Sequence, residues 1–207
     1  MVFVSVYDAM RFVNWLENGQ PVGAEGPGTT ATGTYTITSG GVTANSITRN
    51  PGRQFALPTE DEWYKAAYFD PGSAAYFATP ALSNGPITCA APGSTPDTAN
   101  CDDAVGDLAA VGAYTASASP NGTFDQGGNV WEWTEEIAGV NRRIRGGAFD
   151  SAPGDLEASA SGLDDDPLHE SADLGFRVLP EPDAAVSLVA GAAALLALGR
   201  AAQRRSR

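Results

Sequence analysis

The chain has 207 residues, room for one domain with a full hydrophobic core, and its 43% apolar content is ordinary for a globular protein. A formal net charge of −13 argues against a nucleic-acid partner, since nothing would neutralise phosphates, but it suits hard cations such as calcium. One histidine, His169, and two cysteines, Cys89 and Cys101, are too few and too scattered for a zinc site, so the default for the cysteine pair is a surface disulfide.

Residues Met1-Val-Phe-Val-Ser5 show no basic start, no long apolar stretch and no cleavage site, so they do not read as a signal peptide. Ser5 to Leu16 reads as a helix: Ser5 with Asp8 has the spacing of a capping box, and Ala9, Phe12, Val13 and Leu16 form one apolar face. Residues 18–54 are rich in Gly, Thr and Pro. Within them Thr34–Thr38 alternates like a strand and Ser39-Gly-Gly41 reads as a turn, which predicts a hairpin. A second helix starts at Thr59, boxed by Glu62, and ends by Asp70-Pro71. Residues 71–123 read as irregular. Short strands are expected near Asn129–Thr134, Arg143–Arg145 and Gly175–Leu179. The stretch Asp150–Asp173, with Asp164-Asp-Asp166, reads as a solvated acidic loop. Together these predict an irregular α+β domain over residues 1–179.

Three segments carry more information. They are Phe55-Ala-Leu-Pro-Thr-Glu-Asp-Glu-Trp-Tyr-Lys-Ala-Ala67, Gly127-Gly-Asn-Val-Trp-Glu-Trp-Thr134, and Arg145-Gly-Gly-Ala-Phe149 with Leu174-Gly-Phe-Arg-Val178. Read physically, they are scaffold. Trp131 and Trp133 face one side if extended, and Trp63 joins them as a core anchor. Gly146-Gly147 allows close approach or positive φ. Arg145 and Arg177 are the expected buried charges, with Glu60, Glu132 and Asp173 as candidate partners. In order and content the segments resemble the formylglycine-generating enzyme family, also called sulfatase-modifying factor domains, over roughly residues 4–179. The resemblance implies a fold related to C-type lectins.

Active members of that family use two cysteines that bind copper, and Cu(I) wants soft thiolates. The matching positions here are Ser151 and Leu156, so the resemblance implies no formylglycine-generating activity and no copper. Related domains in sulfoxide-forming enzymes take iron ligands from a separate histidine-rich domain, which a chain with one histidine does not supply. Two calcium sites carry over. One is Asp125, the Gly128 and Val130 carbonyls and Glu132; the other is Asn100, the Cys101 carbonyl, Asp103 and the Val105 carbonyl. The implied role is a non-catalytic module that binds a glycan or peptide, or a structural one. The alternative is an oxidoreductase with altered chemistry, for which Arg142, Arg143, Asp150, Asp155 and His169 are the groups near Ser151 in sequence.

The tail runs Pro180-Glu181-Pro182, then an uncharged run from Ala184 to Leu198, then Arg200, Arg204, Arg205 and Arg207. By the positive-inside rule the arginines mark a cytoplasmic end and the domain faces outward. This order resembles the PEP-CTERM sorting signal that exosortase-type membrane enzymes recognise. It implies an exported protein, membrane-anchored through residues 180–207 before processing, then placed on the cell surface or in the matrix. An export-sorting tail without an export leader leads us to expect N-terminal truncation.

Overall fold

A computed structural model describes residues 1–181. Both capping boxes form. Helix α1 (Val6–Glu17) starts at Ser5, whose Oγ accepts from Asp8 N–H while the Asp8 carboxylate accepts from Ser5 N–H. After α2 (Ser39–Thr43) and strand β1 (Phe55–Ala56), helix α3 (Glu60–Tyr68) starts at Thr59 with Glu62 in the same reciprocal role. Each such cap is worth about 1 kcal/mol. Seven short strands precede or form the centre of the domain: β2 (Phe69–Asp70), β3 (Ala75–Tyr76), β4 (Thr88–Cys89), β5 (Thr98–Ala99), β6 (Trp131–Ala138), β7 (Asn141–Arg145) and β8 (Leu163–Asp165). Strands β9 (Leu174–Phe176) and β10 (Leu179–Pro180) close it. The largest sheet has the order β8-β7-β6-β9, with β6 antiparallel to β7 and parallel to β9. The other pairings are two-residue contacts between loops, so the fold is mixed α/β with few helices and irregular sheets.

Alternation along β6 sets the layers. Trp131 and Trp133 face α1 and share a core with Val6, Tyr7, Ala9, Met10, Val13, Ile144 and Leu174. Glu132 points the other way and meets Trp63 of α3. Trp63 is therefore a core anchor, but in a separate cluster with Ala67 and Tyr68. Gly147 shows why a glycine is needed: its φ is +77°, and an added Cβ would lie 2.7 Å from Leu156 Cδ1.

Four expectations need correction. The buried face of α1 is turned from the predicted one: Val6, Tyr7, Met10 and Asn14 are buried, while Phe12 and Leu16 are only half-buried. Phe12 stacks instead on Trp15 and on Phe176 at the end of the sheet. The hairpin at 34–41 is absent, because Ser39-Gly-Gly41 begins α2, capped by Thr38 Oγ1 accepting from Gly41 N–H. Asp164 and Asp165 lie in β8 rather than a free loop, and Asp164 holds Arg143 at 2.8 Å. The domain also runs past Leu179. Phe55 pairs with Pro180, Glu181 N–H donates to Gln54 O at 2.7 Å, and the Glu181 carboxylate meets Arg49. Pro182, the run Ala184–Leu198, Arg200, Arg204, Arg205 and Arg207 lie outside the described residues. Among those described, no helix is long and apolar enough to cross a membrane.

Candidate functional site

The loop after Gly146-Gly147 carries Ser151 and Leu156. Ser151 is used by its own turn: Oγ accepts from Ala148 N–H at 2.9 Å, and the Ser151 carbonyl accepts from Asp102 N–H at 2.9 Å. A 3-10 turn, Pro153–Leu156, then drives Leu156 inward. Leu156 is fully buried against Ala81, Ile87, Ala99 and Cys101, and its carbonyl accepts from Tyr68 Oη–H at 3.0 Å. Cys101 is disulfide-bonded to Cys89, with Cα atoms 4.9 Å apart. The pairing is as expected, but its setting is not the surface: Cys101 is buried and Cys89 half-buried. A hydroxyl committed to a turn, an aliphatic side chain and an oxidised cysteine pair offer no thiolate, so these positions do not fit a copper ion.

The groups near Ser151 in sequence do not converge on it. Arg142 is fully buried between β7 and the loop at 45–47, donating to Asn45 Oδ1 and to the Glu135 and Ile47 carbonyls. Arg143 turns to Asp164 and the Ser161 carbonyl. Asp155 caps Ala152 N–H, and Asp150 is exposed. His169 faces Asp165 at 2.6 Å, which holds its pKa above the ordinary histidine value.

Glu132 is where the calcium expectation meets the structure. Arg177 grips both of its oxygens, with Nε to Oε2 and Nη2 to Oε1 each at 2.5 Å, and Trp63 Nε1 donates to Oε2 at 2.6 Å. Those bonds take three of the roughly four acceptor positions of the carboxylate, so in this structure Glu132 serves as the buried partner of Arg177. The companion groups are also engaged. Asp125 accepts from Gly112 N–H at 2.6 Å, burial pushes its pKa up, and the Gly128 carbonyl accepts from Val130 N–H at 2.9 Å. Of the predicted arginine partners, Glu60 lies 3.8 Å from Arg145, whose guanidinium also stacks over Trp63 and Tyr64. Asp173 instead accepts from the Ser171 hydroxyl and meets neither arginine.

The second expected cation site differs. Asn100 is 1% exposed, and its Oδ1 is buried with no hydrogen-bond partner among the described residues. Its Nδ2 donates to the Asp107 carbonyl at 2.9 Å and to Asn129 Oδ1 at 3.1 Å. Asp103 and Val105, the expected neighbours, are exposed, and Asp103 N–H is used on the Phe149 carbonyl. The group that reaches Asn100 is thus Asp107, four residues beyond Asp103. A buried amide oxygen without a partner has the chemistry of one hard-cation ligand, but the Asp107 carbonyl meets the nitrogen end of this amide, and among the described residues no cluster of three or more acidic, histidine or cysteine side chains could hold the ion. The turn at 102–106 takes positive φ at Asp102, Asp103 and Gly106, and it is the Asp107 carbonyl, not the Asp103 side chain, that meets Asn100.

Among the described residues, cavities lie in the part of the domain built from residues 80–127. A small one sits among Pro80, Ala99, Tyr114, Ser117, Asp125 and Gly127. An open groove of ≈ 410 Å³ is lined by Leu82, Ser83, Pro96, Asp97, Thr115 and Ser119.

Residues 1–182 match the family described as sulfatase-modifying factor enzyme 1-like domain. Hercynine oxygenase of Mycolicibacterium smegmatis is 32% identical over a stretch that covers 50% of this chain and 28% of that protein. The chain therefore spans less than a third of that curated relative. Among solved structures, the crystal structure of CarF has a TM-score of 0.58 at 23% identity, covering 87% of this chain and 68% of that one. PvdO from Pseudomonas aeruginosa has a TM-score of 0.53 at 18% identity, covering 87% of this chain and 61% of its own. At such identities the likeness is one of fold. The chain belongs to the sulfatase-modifying factor enzyme 1-like domain family.

Proposed function

We propose that this chain is a non-catalytic member of the family, a binding or structural module carried to the cell surface by its C-terminal tail. The observation that supports this reading is the pair Ser151 and Leu156, one tied into a turn and the other into the core. Their partners are then a glycan or peptide ligand outside, and an exosortase-type enzyme and the membrane during delivery. A calcium ion held through Asn100 Oδ1 is part of the same reading, in a structural role: it would satisfy that buried oxygen next to the turn at 101–109. The second reading is an oxidoreductase with chemistry that bypasses the two thiols, favoured by the similarity to an oxygenase.

The deciding experiment offers the purified protein a Cys-x-Pro-x-Arg peptide, with and without copper, and follows the peptide by mass. The peptide should remain unchanged. Conversion of its cysteine to formylglycine would overturn the non-catalytic reading. Delivery is tested separately, by fractionating a host that has the sorting enzyme. A protein found only in the cytoplasm, despite an export leader, would overturn the surface assignment.

A further inference from the structure

The sequence holds three Asn-Gly pairs, Asn18-Gly19, Asn84-Gly85 and Asn121-Gly122. In such a pair the glycine nitrogen can attack the asparagine side-chain carbonyl, because no Cβ shields the approach. The fold treats the three differently. Asn18 Nδ2 donates to the Thr29 and Thr32 carbonyls at 2.9 and 2.7 Å, and Gly19 N–H donates to Leu16 O at 3.0 Å. Asn121 Nδ2 closes the end of α3 by donating to the Lys65, Ala66 and Phe69 carbonyls, and Gly122 N–H donates to Ser119 O at 2.9 Å. In both pairs the amide that would have to leave is clamped, and the attacking nitrogen is held in a backbone bond.

Asn84 is gripped by its other end. Ala78 N–H donates to Asn84 Oδ1 at 3.0 Å. A backbone N–H can only donate, so it fixes which end of the amide faces it. That donor sits on the oxygen that gains negative charge when Cγ is attacked, the role backbone N–H groups play toward an oxyanion. Among the described residues Gly85 N–H is held by no backbone carbonyl but faces Ser83 Oγ at 2.9 Å, a side-chain hydroxyl that can relay the nitrogen's proton to hydroxide from solvent. Asn84 is exposed, so its Nδ2 can depart into water.

We infer that Asn84 is a site of self-promoted deamidation in the folded protein, and that Asn18 and Asn121 are protected. Hydroxide, through Ser83 Oγ, removes the proton of the Gly85 nitrogen, which bonds to Asn84 Cγ. The Cγ–Nδ2 bond breaks, and Nδ2 leaves as ammonia after taking a proton from water, which regenerates the hydroxide. One water then opens the cyclic imide at either carbonyl, giving aspartate or isoaspartate at position 84. The change falls beside the open groove, whose wall includes Leu82, Ser83 and Asp97. It adds a carboxylate there, and the isoaspartate form also lengthens the backbone by one methylene.

The test incubates the full chain, folded and in denaturant, at neutral and mildly alkaline pH. Peptide mass spectrometry then reads the gain of ~1 Da at each asparagine. In the folded chain Asn84 should convert roughly tenfold faster than Asn18 or Asn121, and the three should level out in denaturant. Gly85→Ala should slow Asn84 about tenfold, since the added Cβ shields the nitrogen while meeting only Ser83 Oγ at 3.3 Å. Conversion of Asn18 or Asn121 as fast as Asn84 in the folded chain would overturn the inference. So would an inert Asn84 in a folded chain whose denatured form deamidates there.

Discussion

Glu181, which pairs with Gln54 and Arg49, gives the most direct test of what the fold needs beyond Leu179. Compare a chain ending at Glu181 with one ending at Leu179, so that neither carries the apolar tail. The shorter chain loses the bond from Glu181 N–H to Gln54 O, the last rung of the β1–β10 pair, and the contact with Arg49. A backbone hydrogen bond contributes about 1 kcal/mol net. The ion pair contributes less than its short distance suggests. Its side chains are 18% and 25% exposed, and Arg49 already holds Glu62 at 2.9 Å and Glu135 at 3.1 Å. A third carboxylate on one guanidinium gains attraction from the arginine and repulsion from its two neighbours, which leaves roughly 0.5 kcal/mol. The sum is ~1–2 kcal/mol, or a fall of about 2–8 °C in Tm for a domain this size. Urea or thermal unfolding of the two chains reads it. Glu181→Gln in the longer chain should recover most of the difference, because it keeps the backbone bond. Amide exchange adds a local readout: Pro180 has no N–H, so in the longer chain the Glu181 amide reports alone beyond Leu179. Equal unfolding midpoints for the two chains, or an unprotected Glu181 amide, would refute the reasoning.

Calcium added after EDTA should raise the melting temperature by mass action, by ~2.7 kcal/mol of stability at a hundredfold excess over Kd. Asn100→Leu should abolish that response, while Glu132→Gln should keep it at a cost of ~3 kcal/mol from the broken Arg177 pair; a flat response in the parent chain would remove the cation site. The single histidine makes a clean NMR titration: His169 should titrate above the ordinary 6.5 because Asp165 stabilises its charged form, and Asp165→Asn should bring it back down. With a raised folded pKa, the stability it contributes is complete below the unfolded value and is lost as pH rises through the folded one. Leu156→Cys should cost ~2–3 kcal/mol by urea unfolding, since it trims methyl groups packed on Ala81, Ile87 and Ala99. A Ser151→Cys, Leu156→Cys chain as stable as the parent would show that the core there is not closed.

What the sequence made legible was local or motif-bound. The two capping boxes, the alternation of Trp131 and Trp133, the disulfide and the pairing of Glu132 with Arg177 could all be read from spacing or residue chemistry. The misses have tertiary causes. Apolar periodicity alone placed Phe12 and Leu16 on the core face of α1. It could not see Asn14, which turns inward because its amide is used on loop backbone: Nδ2 donates to the Thr30 and Tyr35 carbonyls and Oδ1 accepts from Tyr35 N–H. That polar anchor rotates the buried face. Thr34–Thr38 alternates, but Tyr35 bridges Arg49 instead of a hairpin partner, and its hydroxyl reaches Glu135, a hundred positions away. For the cation sites, ligand identity was chosen by position along the chain. Whether an oxygen is free depends on who else reaches it, as Glu132 and Asn100 show from opposite sides.

The same point explains how so acidic a chain uses its few cations. An irregular domain leaves many loop carbonyls without a ladder partner, and buried ones must be satisfied. Arg49 donates to the Leu57 carbonyl, Arg142 to those of Ile47 and Glu135, Arg143 to Ser161 and Arg145 to Ala160. Arg177 reaches the Phe124 and Asp125 carbonyls while it holds Glu132. Five donors in a rigid planar fork let one side chain serve several loops at once, which the single ammonium of lysine does not match. Arg142 is the extreme case. It contacts no carboxylate among the described residues, and burial lowers its pKa, yet its guanidinium joins the segments at 45–47 and 135 to β7. Here the arginine replaces a sheet's cross-strand bonds. The acids that set the net charge lie mostly toward solvent, where they carry no such duty, and the positive charge sits where the loops meet.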